Sequence, residues 1–288
     1  MKKGIDIGGS FIKVLWEDGR REKVYVRDVS QNKEAFVEKL REIIREGNPT
    51  KVGIAVAGFT SLEGVVYRSP NIPALDGVDI KRILLEEGIS GIVLNDVSAG
   101  AFGEWYYDHR DSKNLLFVAI GTGLGAGFVC EGEVFLGSCG SALELGHHIV
   151  EKDGELCSCG RRGCLEAYCS SYGLERIYKK LSAGESLKDY QIVLRAKEGD
   201  QRALDAIETF KDYLTIGLMN AIHILNPDRV VLGGGLIQQL REFMDDLETR
   251  LRETVETLPS QCFKLSFSKC GEFCMARGAL ALTLMDDR

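Results

Sequence analysis

Ile5-Asp6-Ile7-Gly8-Gly9-Ser10-Phe11-Ile12-Lys13-Val14-Leu15 opens as an apolar strand, turns on two glycines and resumes as a second apolar strand. Two such runs joined by a tight Gly turn predict a β-hairpin. The alternation from Glu22 to Asp28 predicts a third strand. Helical periodicity over Ala35–Arg45 stops at Gly47-Asn48-Pro49, where C-cap and breaker residues cluster. Val52–Ala57 reads as a buried strand, and a helix over Ile80–Glu87 ends at Gly88. Ile92–Leu94 is then a short strand that runs into Asn95-Asp96 and a helix from Val97 to about Tyr107.

The same order returns further along. Asn114–Ile120 is a strand, Gly121-Thr122-Gly123-Leu124-Gly125-Ala126-Gly127 a Gly-rich turn, and Phe128–Cys130 and Glu133–Leu136 two more strands. Helices follow, of which Arg202–Leu225 is the longest. Arg229–Leu232 is a strand ending in Gly233-Gly234-Gly235, and a helix, a strand (Phe263–Phe267) and a final helix (Glu272–Met285) complete the pattern. A hairpin-led α/β unit used twice predicts two similar lobes with a ligand cleft between them. The N-terminal lobe is expected over 1–112 and the C-terminal lobe over 113–288, with the final helix packing back on the first.

The 288 residues, 44% hydrophobic and 27% charged, suffice for two domains that each bury a core. No long polar or single-sign charge run appears, which excludes disorder. The longest apolar stretch, Leu115–Cys130, is cut by four glycines and is shorter than the roughly 20 residues a membrane helix needs. Met1-Lys2-Lys3 leads straight into Gly4-Ile5-Asp6 without a segment resembling a signal peptide, so a cytoplasmic location and no membrane partner are expected. A net charge of −7 with no basic arm argues against nucleic acid as a partner. Nine cysteines, odd in number and bunched, read as metal ligands plus core thiols rather than as a disulfide framework.

In Asp6-Ile7-Gly8-Gly9-Ser10 a carboxylate at a strand end precedes two residues without side chains. Glycine lets backbone N–H groups come close to phosphate oxygens, Ser10 can donate a hydrogen bond, and Asp6 would hold Mg²⁺ through water. The same residues also suit a plain hairpin turn with an exposed Asp. Gly121 to Gly127 is a second such turn at the matching point of the second unit. It lacks the Gly-Lys-Ser/Thr of a Walker A loop, and a strand rather than a helix follows it, unlike a dinucleotide fingerprint. Two turns at equivalent positions, with Gly233-Gly234-Gly235 after a strand, point together to nucleotide phosphates.

Asn95-Asp96 lies where a buried strand gives way to a helix, a usual place for substrate groups in α/β folds. Asp96 could serve as general base toward an alcohol, with Asn95 bonding a neighbouring hydroxyl. The plain alternative is Asp96 as N-cap of the following helix. Cys157-Ser158-Cys159-Gly160-Arg161-Arg162-Gly163-Cys164 gives three thiols within eight residues, with His147 ten residues before the first. Three thiolates and one imidazole make a closed tetrahedral set, the arrangement of structural zinc. Gly160 and Gly163 allow the turns that converge the sulfurs, and Arg161 and Arg162 offset negative charge. His148 could replace His147 as ligand, since spacing alone does not separate the two. Cys130, Cys139, Cys169, Cys262, Cys270 and Cys274 are read as core or near-surface thiols, and His109 and His223 as structural. Glu144 and Glu166 flank the metal segment, and paired carboxylates with an Asn-Asp suit a polyhydroxy ligand.

Asp6-Ile-Gly-Gly-Ser, Ser69-Pro-Asn-Ile-Pro, Leu94-Asn-Asp, Gly121-Thr-Gly-Leu-Gly-Ala-Gly, Glu144-Leu-Gly-His and Cys157-x-Cys-Gly-x-x-Gly-Cys-Leu-Glu resemble, in this order, the ROK family of repressors, open reading frames and kinases. The resemblance covers nearly the whole chain. It implies a two-lobe actin-like ATPase fold, related to ribonuclease H, and ATP-dependent phosphorylation of a hexose. By motif it makes Asp96 the catalytic base, with Asn95, Glu144, His147, Glu166 and Gly58 around the sugar. Asp6, Gly8, Gly9, Ser10, Lys13, Gly121, Thr122, Gly123 and Gly234 would surround ATP and its Mg²⁺. His147 would also bind Zn²⁺ with Cys157, Cys159 and Cys164, and a homodimer or homotetramer is implied.

Three positions depart from the family pattern. Leu143 stands where a Gly usually precedes the Glu, Ala57 where a Pro often precedes Gly58, and Ser10 replaces the commoner Thr. Leu143 and Ala57 border the implied sugar site, so they bear on sugar identity. Glucose is the first expectation, because the family's glucokinases share the ten-residue His-to-Cys spacing and Glu166. Fructose, mannose, allose, N-acetylmannosamine and N-acetylglucosamine stay open, as does polyphosphate as donor. A repressor of this family carries a helix-turn-helix domain ahead of the Asp-x-Gly-Gly strand, whereas five residues precede Asp6 here, so that reading is not expected.

Overall fold

A computed structural model describes residues 1–285. The chain begins with the strands β1 (Lys2–Ile7), β2 (Phe11–Trp16) and β3 (Arg21–Tyr25), the helix α1 (Lys33–Arg45) and the strand β4 (Lys51–Val56). Three short strands follow, β5 (Phe59–Thr60), β6 (Val65–Arg68) and β7 (Val78–Asp79), and then α2 (Ile80–Glu86), β8 (Ser90–Asn95) and α3 (Asp96–Asp108). Next come β9 (Asn114–Ile120), β10 (Leu124–Cys130) and β11 (Glu133–Val134), and the helices α4 (Ser171–Leu181), α5 (Asp189–Lys197) and α6 (Gln201–Leu225). The last elements are β12 (Arg229–Gly233), α7 (Gly235–Leu240), α8 (Leu247–Thr254), α9 (Thr257–Cys262), β13 (Lys264–Phe267) and α10 (Cys274–Met285).

One sheet has the order β3-β2-β1-β4-β8 and another the order β11-β10-β9-β12-β13. In the first, β1 is antiparallel to β2 and parallel to β4, and β4 is parallel to β8. In the second, β9 is parallel to β12 and β12 to β13. The hairpin-led sheet predicted from the sequence thus occurs twice with one strand order. The small sheet β5-β6-β7 has no counterpart in the sequence pattern, because strands of two to four residues carry too little alternation to read.

The chain forms two compact units, and a single cut near residue 112 does not describe them. The first holds 1–113, 127–142 and 270–285, and the second holds 114–126 and 143–269. The physical reason lies in β10, whose continuation packs on α3: a Cβ on Gly127 would lie 2.7 Å from Ala101 Cβ.

In the first unit the strand alternation sets two faces. Ile5, Ile7, Ile54 and Val56 join Phe36, Leu40 and Ile44 of α1 in one fully buried cluster. Each such side chain contributes about 1.5–3 kcal/mol on burial, so Phe36→Ala is worth about 3–5 kcal/mol. On the other face Gly53 lets the backbone of α10 lie directly on the sheet, since a Cβ there would sit 1.8 Å from the Ala279 carbonyl oxygen. Small residues in α10 (Ala276, Gly278, Ala279, Ala281) make that approach workable. The helix starts at Cys274 rather than at Glu272, because Gly271–Phe273 form a 3-10 turn ahead of it.

In the second unit α6 is bounded by an Asp200 side-chain cap on Ala203 N–H and by Asn226 in the left-handed region. It buries Phe210, Leu214, Leu218 and Ile222 at helical spacing. No helix among the described residues is long and apolar enough to cross a membrane.

Candidate active site and metal centre

In the first unit Asp6 is one residue from the end of β1 and is 6% exposed. It faces Lys13 across the hairpin, with Nζ 3.4 Å from Asp6 Oδ2. Burial raises the Asp6 pKa, and the Lys13 ammonium pulls it back down. The turn closes through Gly8 N–H, which donates to the Phe11 carbonyl at 3.1 Å. Gly8 and Gly9 both keep negative φ. Gly9 is needed for space, as a Cβ would lie 2.9 Å from the Asn71 carbonyl oxygen. Ser10 follows and accepts Val26 N–H on its carbonyl at 3.0 Å.

Asn71 belongs to the Ser69-Pro-Asn-Ile-Pro segment. Ser69 ties that segment to the next one, with Oγ donating to the Ala57 carbonyl at 2.6 Å and N–H to Asp76 Oδ1 at 2.7 Å. Gly58 follows at φ 136°, a conformation that favours glycine, and its carbonyl accepts from Asn95 Nδ2 at 3.1 Å.

Asn95, not Asp96, is the N-cap of α3. Its Oδ1 accepts the N–H groups of Val97 and Ser98 at 3.0 and 3.1 Å. The capping alternative for Asp96 is thereby corrected: Asp96 opens the helix, with Oδ1 3.0 Å from Val97 N. Part of its surface stays accessible, yet it is surrounded closely enough that lost hydration pushes its pKa up to about 7. The negative charge of Asp6 adds to that rise, while the backbone N–H groups and Asn95 oppose it.

In the second unit Gly121 N–H closes the turn between β9 and β10 onto the Gly123 carbonyl at 2.9 Å. Ser171, the first residue of α4, donates its N–H and Oγ to the Gly121 carbonyl at 2.8 and 3.1 Å. Thr122 is exposed at the tip. Gly234, at φ 93°, approaches the end of β9, so a Cβ there would lie 2.3 Å from the Ile120 carbonyl oxygen. Gly121, Thr122, Gly123 and Gly234 are therefore gathered around one strand end.

Glu166 is 8% exposed and held from three sides. Its Oε2 accepts Leu124 N–H at 3.0 Å, and its Oε1 accepts Ser158 Oγ at 2.6 Å and Tyr172 OH at 3.1 Å. It joins the Gly-rich turn, the metal segment and α4. Sequence reasoning missed Ser158 and Tyr172; the one available signal was that Ser158 lies between two expected metal ligands. Glu144 is accessible, but its pKa is raised by partial desolvation, opposed by His147 and reinforced by Glu166. Leu143, just before it, has φ 66°.

His147, Cys157, Cys159 and Cys164 bring four donor atoms within 4.8 Å of one another. Cys159 Sγ and Cys164 Sγ are 3.8 Å apart, and Cys157 Sγ lies 3.7 Å from His147 Nδ1. A tetrahedron with metal–sulfur bonds of about 2.3 Å has sulfur–sulfur edges of about 3.8 Å, so the donors fit a closed zinc set. His147 rather than His148 belongs to the group. Its Nε2 points the other way and lies 4.0 Å from Glu144 Oε2. Gly160 and Gly163, at φ 87° and 77°, make the turns between the ligands. His223 is structural, with Nε2 accepting Glu256 N–H at 3.0 Å.

The ROK family description matches residues 2–285. A glucokinase from Thermotoga maritima is 33% identical over 257 residues, 81% of each chain. An N-acetyl-D-glucosamine kinase from Haemophilus influenzae is 31% identical over 99% of each chain. Xylose repressors stand among the relatives too. The solved ROK family glucokinase from Streptomyces griseus, in complex with glucose and AMPPNP, aligns with a TM-score of 0.81 at 26% identity over 98% of each chain. The fold is that of the actin-like ATPases, and over nearly its full length this chain belongs to the ROK family.

Proposed function

We propose that this protein is an ATP-dependent hexose kinase, with the 6-hydroxyl of glucose as first acceptor and Asp96 as general base. The observation that carries the reading is the division of labour at the start of α3. Asn95 caps the helix, and Asp96 keeps a carboxylate whose pKa of about 7 suits proton abstraction near neutral pH. Asp96 takes the hydroxyl proton as the sugar oxygen bonds to the γ-phosphorus of ATP. The bond from that phosphorus to the bridging oxygen breaks, and ADP leaves.

Asn95, Gly58, Glu144 and His147 would fix the neighbouring hydroxyls. Glu166 accepts from Leu124 N–H, Ser158 Oγ and Tyr172 OH, and Cys157 Sγ lies 3.8 Å from its Oε1; with Cys157 held as a metal-bound thiolate that cannot donate, the remaining acceptor position would go to the sugar. Gly8 and Gly121 spend their N–H groups on closing their own turns. Phosphate donors are therefore assigned to Gly9, Ser10, Thr122 and Gly123, with Lys13 and Gly234 beside them. Asp6 would hold Mg²⁺, which supplies charge neutralisation on the phosphates. Zn²⁺ on His147, Cys157, Cys159 and Cys164 would leave no open coordination position, so its part is to pin the segment that carries Glu144 and Glu166.

The test is ADP release, or phosphate transfer from polyphosphate, in the presence of Mg²⁺. The panel is glucose, fructose, mannose, allose, N-acetylmannosamine and N-acetylglucosamine, with Asp96→Asn as control. Asp96-dependent turnover with one of these sugars supports the reading and names the substrate. No turnover with any of them from either donor overturns it.

A further inference from the structure

Outside the site described above, the first unit gathers Glu104, Cys270 and Cys274 so that one donor atom of each lies within 4.8 Å of the others. Glu104 lies 166 residues before Cys270, and the sequence shows no motif that joins it to the two cysteines. We infer that these three side chains form a second metal site, one that takes a thiophilic divalent cation such as Zn²⁺.

The donor set itself selects the metal. Two sulfurs and one carboxylate suit zinc and its softer relatives, whereas Mg²⁺ and Ca²⁺ call for oxygen alone. Cys274 Sγ lies 3.6 Å from Glu104 Oε1. A tetrahedral metal with bonds of about 2.3 Å to sulfur and about 2.1 Å to oxygen sets that edge at about 3.6 Å. Glu104 is 2% exposed and Cys274 8%, so the site is built into the protein rather than scattered over its surface. Two thiolates and a carboxylate bring three negative charges into this enclosure. A divalent cation offsets two of them, and Arg277, which also pairs with Asp108 at 2.6 Å, lies beside Cys270.

The fold presents the donors in advance. Glu104 lies on α3, Cys270 precedes the 3-10 turn, and Cys274 opens α10 one helical turn later. One turn further along, α3 and α10 touch backbone to backbone, and a Cβ on Gly278 would meet the Ala99 carbonyl oxygen at 1.9 Å. The helices are thus locked at their crossing, and a metal would clamp the start of α10 to the same helix that begins at Asp96. Three protein ligands leave a fourth position for water, so this ion exchanges more readily than one in the closed His147 set.

The full chain, kept reduced with a phosphine and loaded with zinc, would be dialysed against metal-free buffer and titrated with Co²⁺. Sulfur-to-cobalt charge-transfer absorption reports the thiolate-bound equivalents. Cys274→Ser should bind one equivalent fewer than the wild type, and Glu104→Gln should bind that equivalent about tenfold more weakly. Cys159→Ser, altered in the other metal set, and Cys139→Ser, an exposed thiol, should both retain it. If Cys274→Ser does not fold, Cys270→Ala serves in its place. The same number of thiolate-bound equivalents in the wild type and in Cys274→Ser or Cys270→Ala overturns the site, as does finding Cys270 and Cys274 still joined as a disulfide under the reductant.

Discussion

The turns β1–β2 and β9–β10 occupy equivalent places in two sheets of one strand order, yet they are equipped in opposite ways. The first carries its own charge: Asp6 is buried beside Lys13 and raises the pKa of Asp96 in the same unit. The second carries no charged residue, and it is held from outside by Glu166 on Leu124 N–H and by Ser171 on the Gly121 carbonyl. One strand order therefore repeats the turn without repeating the side chains around it. On the proposed reading, the chemistry comes from what accompanies each turn, the Asn95-Asp96 helix start in one unit and the His147 and cysteine segment in the other.

The largest expected effect lies on the charged side. Asp96→Asn should lower kcat about 10³-fold, within the usual range for loss of a general base, while sugar binding measured by calorimetry changes little. Comparable turnover in the variant would leave the first unit without its catalytic role. On the braced side, Cys164→Ser should lower the zinc content measured by elemental analysis by one equivalent and raise the sugar KM about 10–100-fold, because Glu144 and Glu166 would lose a shared anchor. A variant with the same zinc content as the wild type would show that the ligands are other than these four.

Glu166→Gln sharpens the comparison further. Glu166 braces the Gly-rich turn and has one acceptor position left, so KM for ATP and KM for sugar should rise together, each about tenfold. Glu144→Gln, with no such link to the turn, should raise the sugar KM alone. A rise in the sugar KM alone for both variants would mean that Glu166 does not hold the nucleotide side.

The pH dependence follows from the first unit. Only ionised Asp96 can accept a proton, so with a pKa of about 7 the wild-type kcat should climb about tenfold between pH 6 and pH 8. Stability runs the other way. Between the ordinary carboxylate range near pH 4 and about pH 7, Asp96 is protonated in the fold and ionised in the unfolded chain. The fold therefore loses stability as pH rises through that window, and Asp96→Asn should remove that part of the slope in denaturant titrations. An unchanged slope would place the raised pKa elsewhere.

Much of this architecture was legible in the sequence, because apolar runs of five to seven residues broken by glycine fix both hairpins and their parallel partners. The metal set was legible for a related reason: Cys157, Cys159 and Cys164 sit close in the chain, and the turns between them need Gly160 and Gly163. What could not be read depends on distance. Asn95 and Asp96 are adjacent, and which one caps α3 was decided by the Gly58 carbonyl holding the Asn95 amide. Glu166 reads as a ligand contact until the fold brings Leu124 N–H to it across 42 residues. Glu104 and Cys274 share no local pattern at all.

Leu143 joins both kinds of information and gives the smallest expected effect. It stands where the family usually has glycine, and its φ of 66° is one that glycine adopts freely and a leucine does not. A left-handed conformation costs a residue with a Cβ about 1–2 kcal/mol, while glycine loses about 0.5–1 kcal/mol more through its freedom in the unfolded chain. Leu143→Gly should therefore stabilise the protein by about 0.5–1 kcal/mol, a rise of roughly 2 °C in Tm. The strained residue precedes Glu144 directly, so relief of the strain also frees that carboxylate to move. A higher Tm accompanied by a higher sugar KM would show that the leucine holds Glu144 in place at a cost in stability. A lower Tm would mean that contacts of the leucine side chain outweigh the backbone strain, and the departure from the family pattern would then be one of packing.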